Sequence, residues 1–309
     1  MYESFFGLSE RPFSTTPDPR FLYESRQHRE ALARLEYACE EREIALLTGE
    51  IGAGKTLLSR ALMDRLSREY RVVLLINPHL TPKEFLTAIC KHLDIPHDCP
   101  RSRMMDALHD HLYRLHEEGV ALVLMLDEAQ FVPTKSTFDE IRLLTNFQLD
   151  DAGLLSVILI GQPELRTRLE RPAYRALAQR IGLRYHLVPL DREETGAYVR
   201  FRLSVAEARG ELFDEASLDV LHEGSEGIPR LINRLAHASL IEAYGRESRR
   251  VTADITRNAI DDFLHHGQPP PAPPAERQEI SAQGKGARSA RKGVLSSGAM
   301  EQEIRAKER

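Results

Sequence analysis

From residue 44 onward, short apolar runs alternate with longer segments whose apolar positions recur every three or four residues. The short runs are 44–48, 72–77, 121–126, 155–160 and 184–188. The first four are nearly continuous in Leu, Ile, Val and Ala, as strands covered on both faces should be. Between them lie amphipathic helices. Thr81-Pro82-Lys83-Glu84 is a helix start, with a threonine cap, proline in the first turn and a glutamate reaching back. Phe85, Leu86, Ile89, Cys90 and Leu93 mark its buried face, and Met104, Leu108, Leu112 and Leu115 mark another. Five strands with intervening helices predict an α/β fold, a three-layer parallel five-stranded sheet spanning 25–190. Its first helix is expected at 25–39, where Leu32, Leu35 and Cys39 share a face. After Pro189 the strand signals stop. Asp191-Arg192-Glu193-Glu194 caps a helix to about Arg209, and helical patterns follow near 215–222, 229–244 and 253–263. They predict a small all-helical domain at 191–266.

Two segments fall outside this pattern. Residues 1–24 set Pro12, Pro17 and Pro19 among Phe5, Phe6, Phe13, Phe21 and Tyr23, which reads as an extended strap lying on a domain surface. Residues 267–309 hold five prolines, no aromatic and only four Leu, Ile, Val or Phe, too little apolar surface to offset ordering, and read as disordered. That tail carries a net +3, so residues 1–266 carry −8 of the overall −5, which argues against a uniformly basic nucleic-acid coat. The longest apolar run, 120–126, has seven residues against the roughly 20 of a membrane-spanning helix. There is no signal-peptide pattern at the N-terminus. Cys39, Cys90 and Cys99 have neither disulfide-framework nor zinc spacing and read as buried thiols in a reducing cytoplasm. The histidine pairs 109/111, 265/266 and 92/97 likewise lack metal-ligand spacing.

The chemistry begins at Gly49-Glu50-Ile51-Gly52-Ala53-Gly54-Lys55-Thr56, a full G-x-x-x-x-G-K-[ST] between an apolar strand and the amphipathic helix that Leu57 continues. Glycines at 49, 52 and 54 let the backbone curl around a phosphate with its N–H groups inward, and the following helix adds its positive end. Lys55 is expected on the β- and γ-phosphates and Thr56 on Mg²⁺. The run 121–126 ends in Asp127-Glu128, a Walker B arrangement: Asp127 holds the metal through its water shell, and Glu128 orients or deprotonates an attacking water. That glutamate favours hydrolysis over phosphoryl transfer to another acceptor.

Gln162, at the end of the fourth strand in Gly161-Gln162-Pro163, reads either as a sensor beside the γ-phosphate or as a strand-end cap. Arg166, Arg168, Arg171, Arg175, Arg180 and Arg184 form a basic stretch, read for the most part as solvated. Arg180 stands just before the fifth strand, where oligomeric ATPases carry a finger to the neighbour's γ-phosphate; Arg175 is the lesser candidate, and a DNA-facing role stays open. Arg230, in Gly227-Ile228-Pro229-Arg230, is placed to swing onto the nucleotide as a lid closes.

Together these residues resemble the AAA+ ATPases, and within them the ExeA-like (general secretion pathway protein A) family, over about residues 1–265. The opening MYESFFGLSERPFSTTPDPRFLYES, then GEIGAGKT, LMLDEAQ, LIGQPEL, QRIGLRYHLVPL and GIPRLIN carry the likeness. It implies a P-loop fold with a helical lid and an oligomer with ATP and Mg²⁺ at the subunit boundary. Gln162 takes the sensor 1 role, Arg230 sensor 2 and Arg180 the finger, while Pro12 and Phe13 line the adenine pocket. The implied partner is a secretion, pilus or polysaccharide-export machine, with a cytoplasmic location that leaves the inner-membrane periphery open. Longer members continue into a membrane span and a peptidoglycan-binding domain, which this sequence lacks, so only the ATPase is expected to carry over. Two other functions remain: a DNA-associated helper of transposition, and a nucleotide-gated adaptor in which turnover is incidental.

Overall fold

The computed structural model describes residues 1–14, 18–149 and 153–265. The chain divides into two units, Met1–Gly267 and Gln268–Arg309; the tail expected to be disordered lies outside the described residues. In chain order the elements are α1 (Tyr2–Phe6), α2 (Arg26–Glu40), β1 (Ile44–Gly49), α3 (Lys55–Arg65), β2 (Tyr70–Ile76), α4 (Pro82–His92) and α5 (Arg101–Glu117). There follow β3 (Ala121–Asp127), α6 (Lys135–Leu144), β4 (Leu155–Gly161), α7 (Pro163–Leu169), α8 (Arg175–Ala178) and β5 (Ile181–Leu187). Four helices complete the fold: α9 (Arg192–Val205), α10 (Glu215–Ser225), α11 (Pro229–Gly245) and α12 (Ala253–His265).

The five strands are all parallel, in the order β2-β3-β4-β1-β5. Side-chain alternation divides each central strand between two cores. Leu122, Leu124 and Leu126 of β3 join Val157 and Leu159 of β4 beneath α4, α5 and α6. Val123 and Met125, with Ile158 and Ile160, pack on the opposite face against α2 and α3. Both faces are covered, which is why the central strands read as unbroken apolar runs.

The edge strands differ from expectation at their ends. β5 begins at Ile181, three residues earlier than the apolar run suggests, because as an edge strand it alternates, with Gly182 and Arg184 exposed and Leu183 half-buried between them. On the other edge, β2 starts at Tyr70 and stops at Ile76, where Asn77 turns left-handed at φ 51°. The capping box of Thr81 and Glu84 is present, and Met104, Leu108 and Leu112 are fully buried. Cys39 and Cys90 are buried and Cys99 is partly exposed; burial pushes the first two thiols up to about 12 and about 11.

The N-terminal strap departs most from expectation. It opens with a helix, α1, closed by Gly7 in the left-handed region at φ 69°. Its apolar side chains do not lie on a surface. Tyr2, Phe6, Leu8 and Phe13 belong to the core of the helical part, with Val199, Leu221, Leu235 and Leu240. Phe13 meets Phe213 edge-on at 6.1 Å between centroids. Each such side chain contributes about 1.5–3 kcal/mol by leaving water, so the strap completes a core that α9–α12 share.

The α/β body and the helical part meet where the chain leaves β5. Leu187 packs in the body and Leu190 in the helical core. Leu190 N–H donates to Gly227 O at 2.9 Å. Gly227 holds φ +70°, and a Cβ there would stand 1.9 Å from Leu190 O. Beside this crossing, Val188 N–H donates to Gln27 Oε1 at 3.1 Å. Among the described residues, no helix is long and apolar enough to cross a membrane.

Candidate functional site

The loop between β1 and α3 lies at the C-terminal end of the sheet. Gly52 and Gly54 adopt φ 89° and 98°, which only glycine does cheaply, and Ala53 N–H closes the turn onto Glu50 O at 3.1 Å. Gly54 is the N-cap of α3 and supplies no side chain, so the first-turn N–H groups of the helix face the loop. Ile51 is exposed at the tip. Lys55 is buried, and its Nζ donates to Gly49 O at 2.8 Å and to Glu50 O at 2.9 Å. Burial lowers its pKa below the usual lysine value, opposed by the nearby carboxylates of Glu128 and Asp127. From behind, His28 supports the loop: its Nδ1 lies 2.8 Å from Ser25 Oγ, and its ring hydrogen-bonds the Ala53 main chain.

Across from the lysine, β3 ends in the two acids. Asp127 is buried; its Oδ2 accepts from Thr56 Oγ1 at 3.0 Å and its Oδ1 from Glu128 N–H at 2.9 Å. Burial raises its pKa, with both hydrogen bonds opposing. A carboxylate and a hydroxyl, both oxygen donors and both beside the phosphate loop, fit the few protein contacts that Mg²⁺ accepts. No cluster of three or more His, Cys, Asp or Glu suited to a metal occurs among the described residues.

Glu128 turns left-handed, φ 56°, a conformation costing about 1 kcal/mol or more for a residue with a Cβ. The turn aims its carboxylate at two amides. Gln162 Nε2 donates to Glu128 Oε2 at 3.2 Å, and Gln130 Nε2 donates to the same oxygen. Gln130 Oε1 in turn accepts from Gln162 N–H at 3.2 Å. Gln162 is also the N-cap position of α7, without a side-chain cap bond, so its amide serves the acid and not the helix.

One cleft joins these groups to the helical part. Besides the loop, Lys55, Thr56, Leu57 and Glu128, it is lined by Ser14 and Asp18 of the strap and by Tyr198, Arg202, Arg230 and Asn233. Arg230 sits at the start of α11; its N–H donates to Gly52 O at 3.3 Å, and a Cβ on Gly52 would come within 2.5 Å of Arg230 Cβ. The second loop glycine is therefore also where the first turn of α11 docks. The expected adenine-pocket residues need correcting. Phe13 is turned into the helical core, and Pro12 gives its carbonyl to Arg202 Nε at 2.6 Å; among the described strap residues, Ser14 and Asp18 face the cleft instead.

A family profile described as an AAA domain matches residues 38–169. General secretion pathway protein A of Aeromonas hydrophila is 44% identical over 265 residues, covering 84% of this chain. The chain belongs to the ExeA-like AAA+ family. It spans 48%, about half, of the length of that curated relative. Among solved structures, the ORC2 protein of Aeropyrum pernix in ADPNP–ADP complexes superposes with a TM-score of 0.61 at 18% identity, over 82% of this chain and 72% of that one. Drosophila ORC bound to DNA gives 0.63 at 16%, over 83% and 65%. At such identities the likeness is one of fold, a parallel P-loop sheet followed by helices.

Not every expected residue of this ExeA-like chain reaches the cleft. Arg180 is exposed before β5 and bonds Thr145 Oγ1 at 2.8 Å, away from the loop of its own chain. Arg166 pairs with Glu170 on the surface, as expected of a solvated stretch. Several residues in or beside the cleft escaped the sequence reading, among them Gln130, Arg202 and Asn233. Gln130 left in the sequence only a polar residue after Asp127-Glu128-Ala129, with nothing there to show that it folds back onto the acid. Arg202 was visible as a charge on the apolar face of α9, between Val199 and Leu203. It is buried, donates to Pro12 O, Ser14 O and Tyr198 OH, and stacks 4.7 Å over Phe21. Asn233, which accepts from Tyr198 OH at 2.9 Å, had no signal of its own.

Proposed function

We propose that this chain binds ATP with Mg²⁺ and hydrolyses it, and that an oligomer uses the cycle to drive assembly or remodelling of an envelope-associated secretion, pilus or export machine. The observation that carries the chemistry is the Glu128 carboxylate, held by two amides and facing the buried Lys55 across one cleft. The loop N–H groups and Lys55 receive the β- and γ-phosphates. Thr56 and Asp127 would hold Mg²⁺, which when bound neutralises charge on the phosphate oxygens. Glu128 takes a proton from a water whose oxygen attacks the γ-phosphorus. The bond from that phosphorus to the β–γ bridging oxygen breaks, leaving ADP and phosphate. Gln162 and Gln130 keep the carboxylate aimed, and Arg230 brings the lid onto the loop. Arg180 is offered to the nucleotide of a neighbouring copy.

The secretion setting is supported by the Aeromonas relative and rests on the half of it that this chain matches. Phosphate release and nucleotide binding test the chemistry together. Glu128→Gln keeps Mg-ATP affinity within about threefold and loses about 10²–10⁴-fold in turnover, the usual worth of a positioned base. Lys55→Ala loses binding or turnover outright. Unchanged turnover in either variant overturns the assignment.

A further inference from the structure

The loop that follows the two acids leaves main-chain carbonyls without main-chain donors. Residues Ala129–Phe131 form one 3-10 turn, in which Phe131 N–H bonds Glu128 O and Val132 N–H bonds Ala129 O. The carbonyls of Gln130, Val132 and Pro133 instead find donors on one side chain. Arg168 Nη1 donates to Gln130 O at 3.2 Å and to Val132 O at 2.6 Å, and Nη2 donates to Pro133 O at 3.2 Å. Its remaining Nε donates to Tyr174 OH at 3.1 Å. The guanidinium plane is stacked, 4.9 Å from the Phe138 centroid and 5.3 Å from that of Tyr174. Arg168 makes no ion pair among the described residues, although exposed Glu170 lies two positions on, paired with Arg166. A charged group spent on three carbonyls of one short loop serves the shape of that loop.

We infer that Arg168 is a positioning residue for hydrolysis: by fixing the carbonyls at 130, 132 and 133 it sets where Gln130, and through it the Glu128 carboxylate, stands. The same short helix supplies Gln162 at its start and Arg168 one turn and a half later, so α7 grips the acid from both sides, by amide and by backbone. A displacement of α7 is delivered to Glu128 without any change in the phosphate loop. A lysine cannot substitute, since one ammonium cannot present a planar fork to three acceptors.

This inference rests on the reading of Glu128 as the base, and the experiment separates the two. Arg168→Ala and Arg168→Lys are compared with wild type for kcat, KM for Mg-ATP, affinity for a fluorescent ATP analogue, and thermal midpoint. The expected result is a kcat lowered about 10- to 100-fold, as for displacement of a catalytic group by about an ångström, with KM and affinity within about threefold. Millimolar guanidinium ion should restore part of the turnover of Arg168→Ala and none of that of Arg168→Lys. In the Glu128→Gln background, Arg168→Ala should cost nothing further. Unchanged kcat in both variants overturns the inference while leaving the base intact. So does a kcat that falls only together with affinity and without rescue. Should Arg168→Ala fail to fold, Arg168→Lys decides by the same kcat and KM split. Normal turnover in Glu128→Gln alone instead sinks the hydrolytic reading itself.

Discussion

At the scale of single residues, the site is governed by groups taken out of water. His28 is the clearest case with a measurable consequence. Its ring is buried behind the phosphate loop, between Ser25 Oγ and the Ala53 main chain, and burial lowers its pKa from the ordinary 6.5. The unfolded chain therefore takes up the proton more readily than the folded one. Stability is fully present above pH 6.5 and falls as pH drops from there toward the depressed folded value. His111 and His237 are shifted the same way, chiefly by burial, and act with the same sign. The urea midpoint should accordingly fall between pH 7.5 and pH 5.5, and His28→Gln should shrink that fall; an unaltered difference would show that the ring is not the titrating group. Lys55, Thr56, Asp127 and Glu128 were legible in the sequence because their spacing is fixed by one loop and one strand end. Gln130 was not, because only the left-handed turn at Glu128 folds its amide back onto the acid.

Elements were legible where they are long and covered on both faces. β1, β3 and β4 stand where apolar runs placed them, and α4 begins at its capping box. α7 and α8, seven and four residues long, complete too few turns to leave a periodic trace. α1 was hidden among prolines and aromatics for the same reason. Joints between elements impose sharper demands than the elements themselves, and two glycines with nearly equal φ show it. Gly7 closes α1 at φ 69° with nothing within 4 Å of an added Cβ, whereas Gly227, at φ 70°, has Leu190 O 1.9 Å away. Gly7→Ala should thus cost about 1 kcal/mol of unfolding free energy, the backbone penalty alone. Gly227→Ala should cost about 4 kcal/mol or more, since main chain must move. Equal losses in denaturant titrations would mean that the lid joint accommodates a side chain.

For the whole molecule, the strap reassigns the boundary between body and lid. Sequence composition identified residues 1–24 as something separate, yet which surface they serve depends on contacts across roughly two hundred positions, such as Phe13 with Phe213 and Arg202 with Pro12. Periodicity within a segment carries no information about such pairings. Phe13→Ala should cost about 3–5 kcal/mol, as for other buried phenylalanines, although the side chain touches no part of the phosphate loop; a loss below about 1 kcal/mol, read by thermal or urea unfolding, would return the strap to a surface role. Leu22 packs with the body and Tyr23 with the helices, just as Leu187 and Leu190 do farther along, and Gln27 ties to Val188 between them. The polypeptide thus passes from one half to the other twice, along a single seam. A leaf stitched down one margin can turn about that margin and little else, so the swing proposed for Arg230 would follow an arc instead of searching a volume.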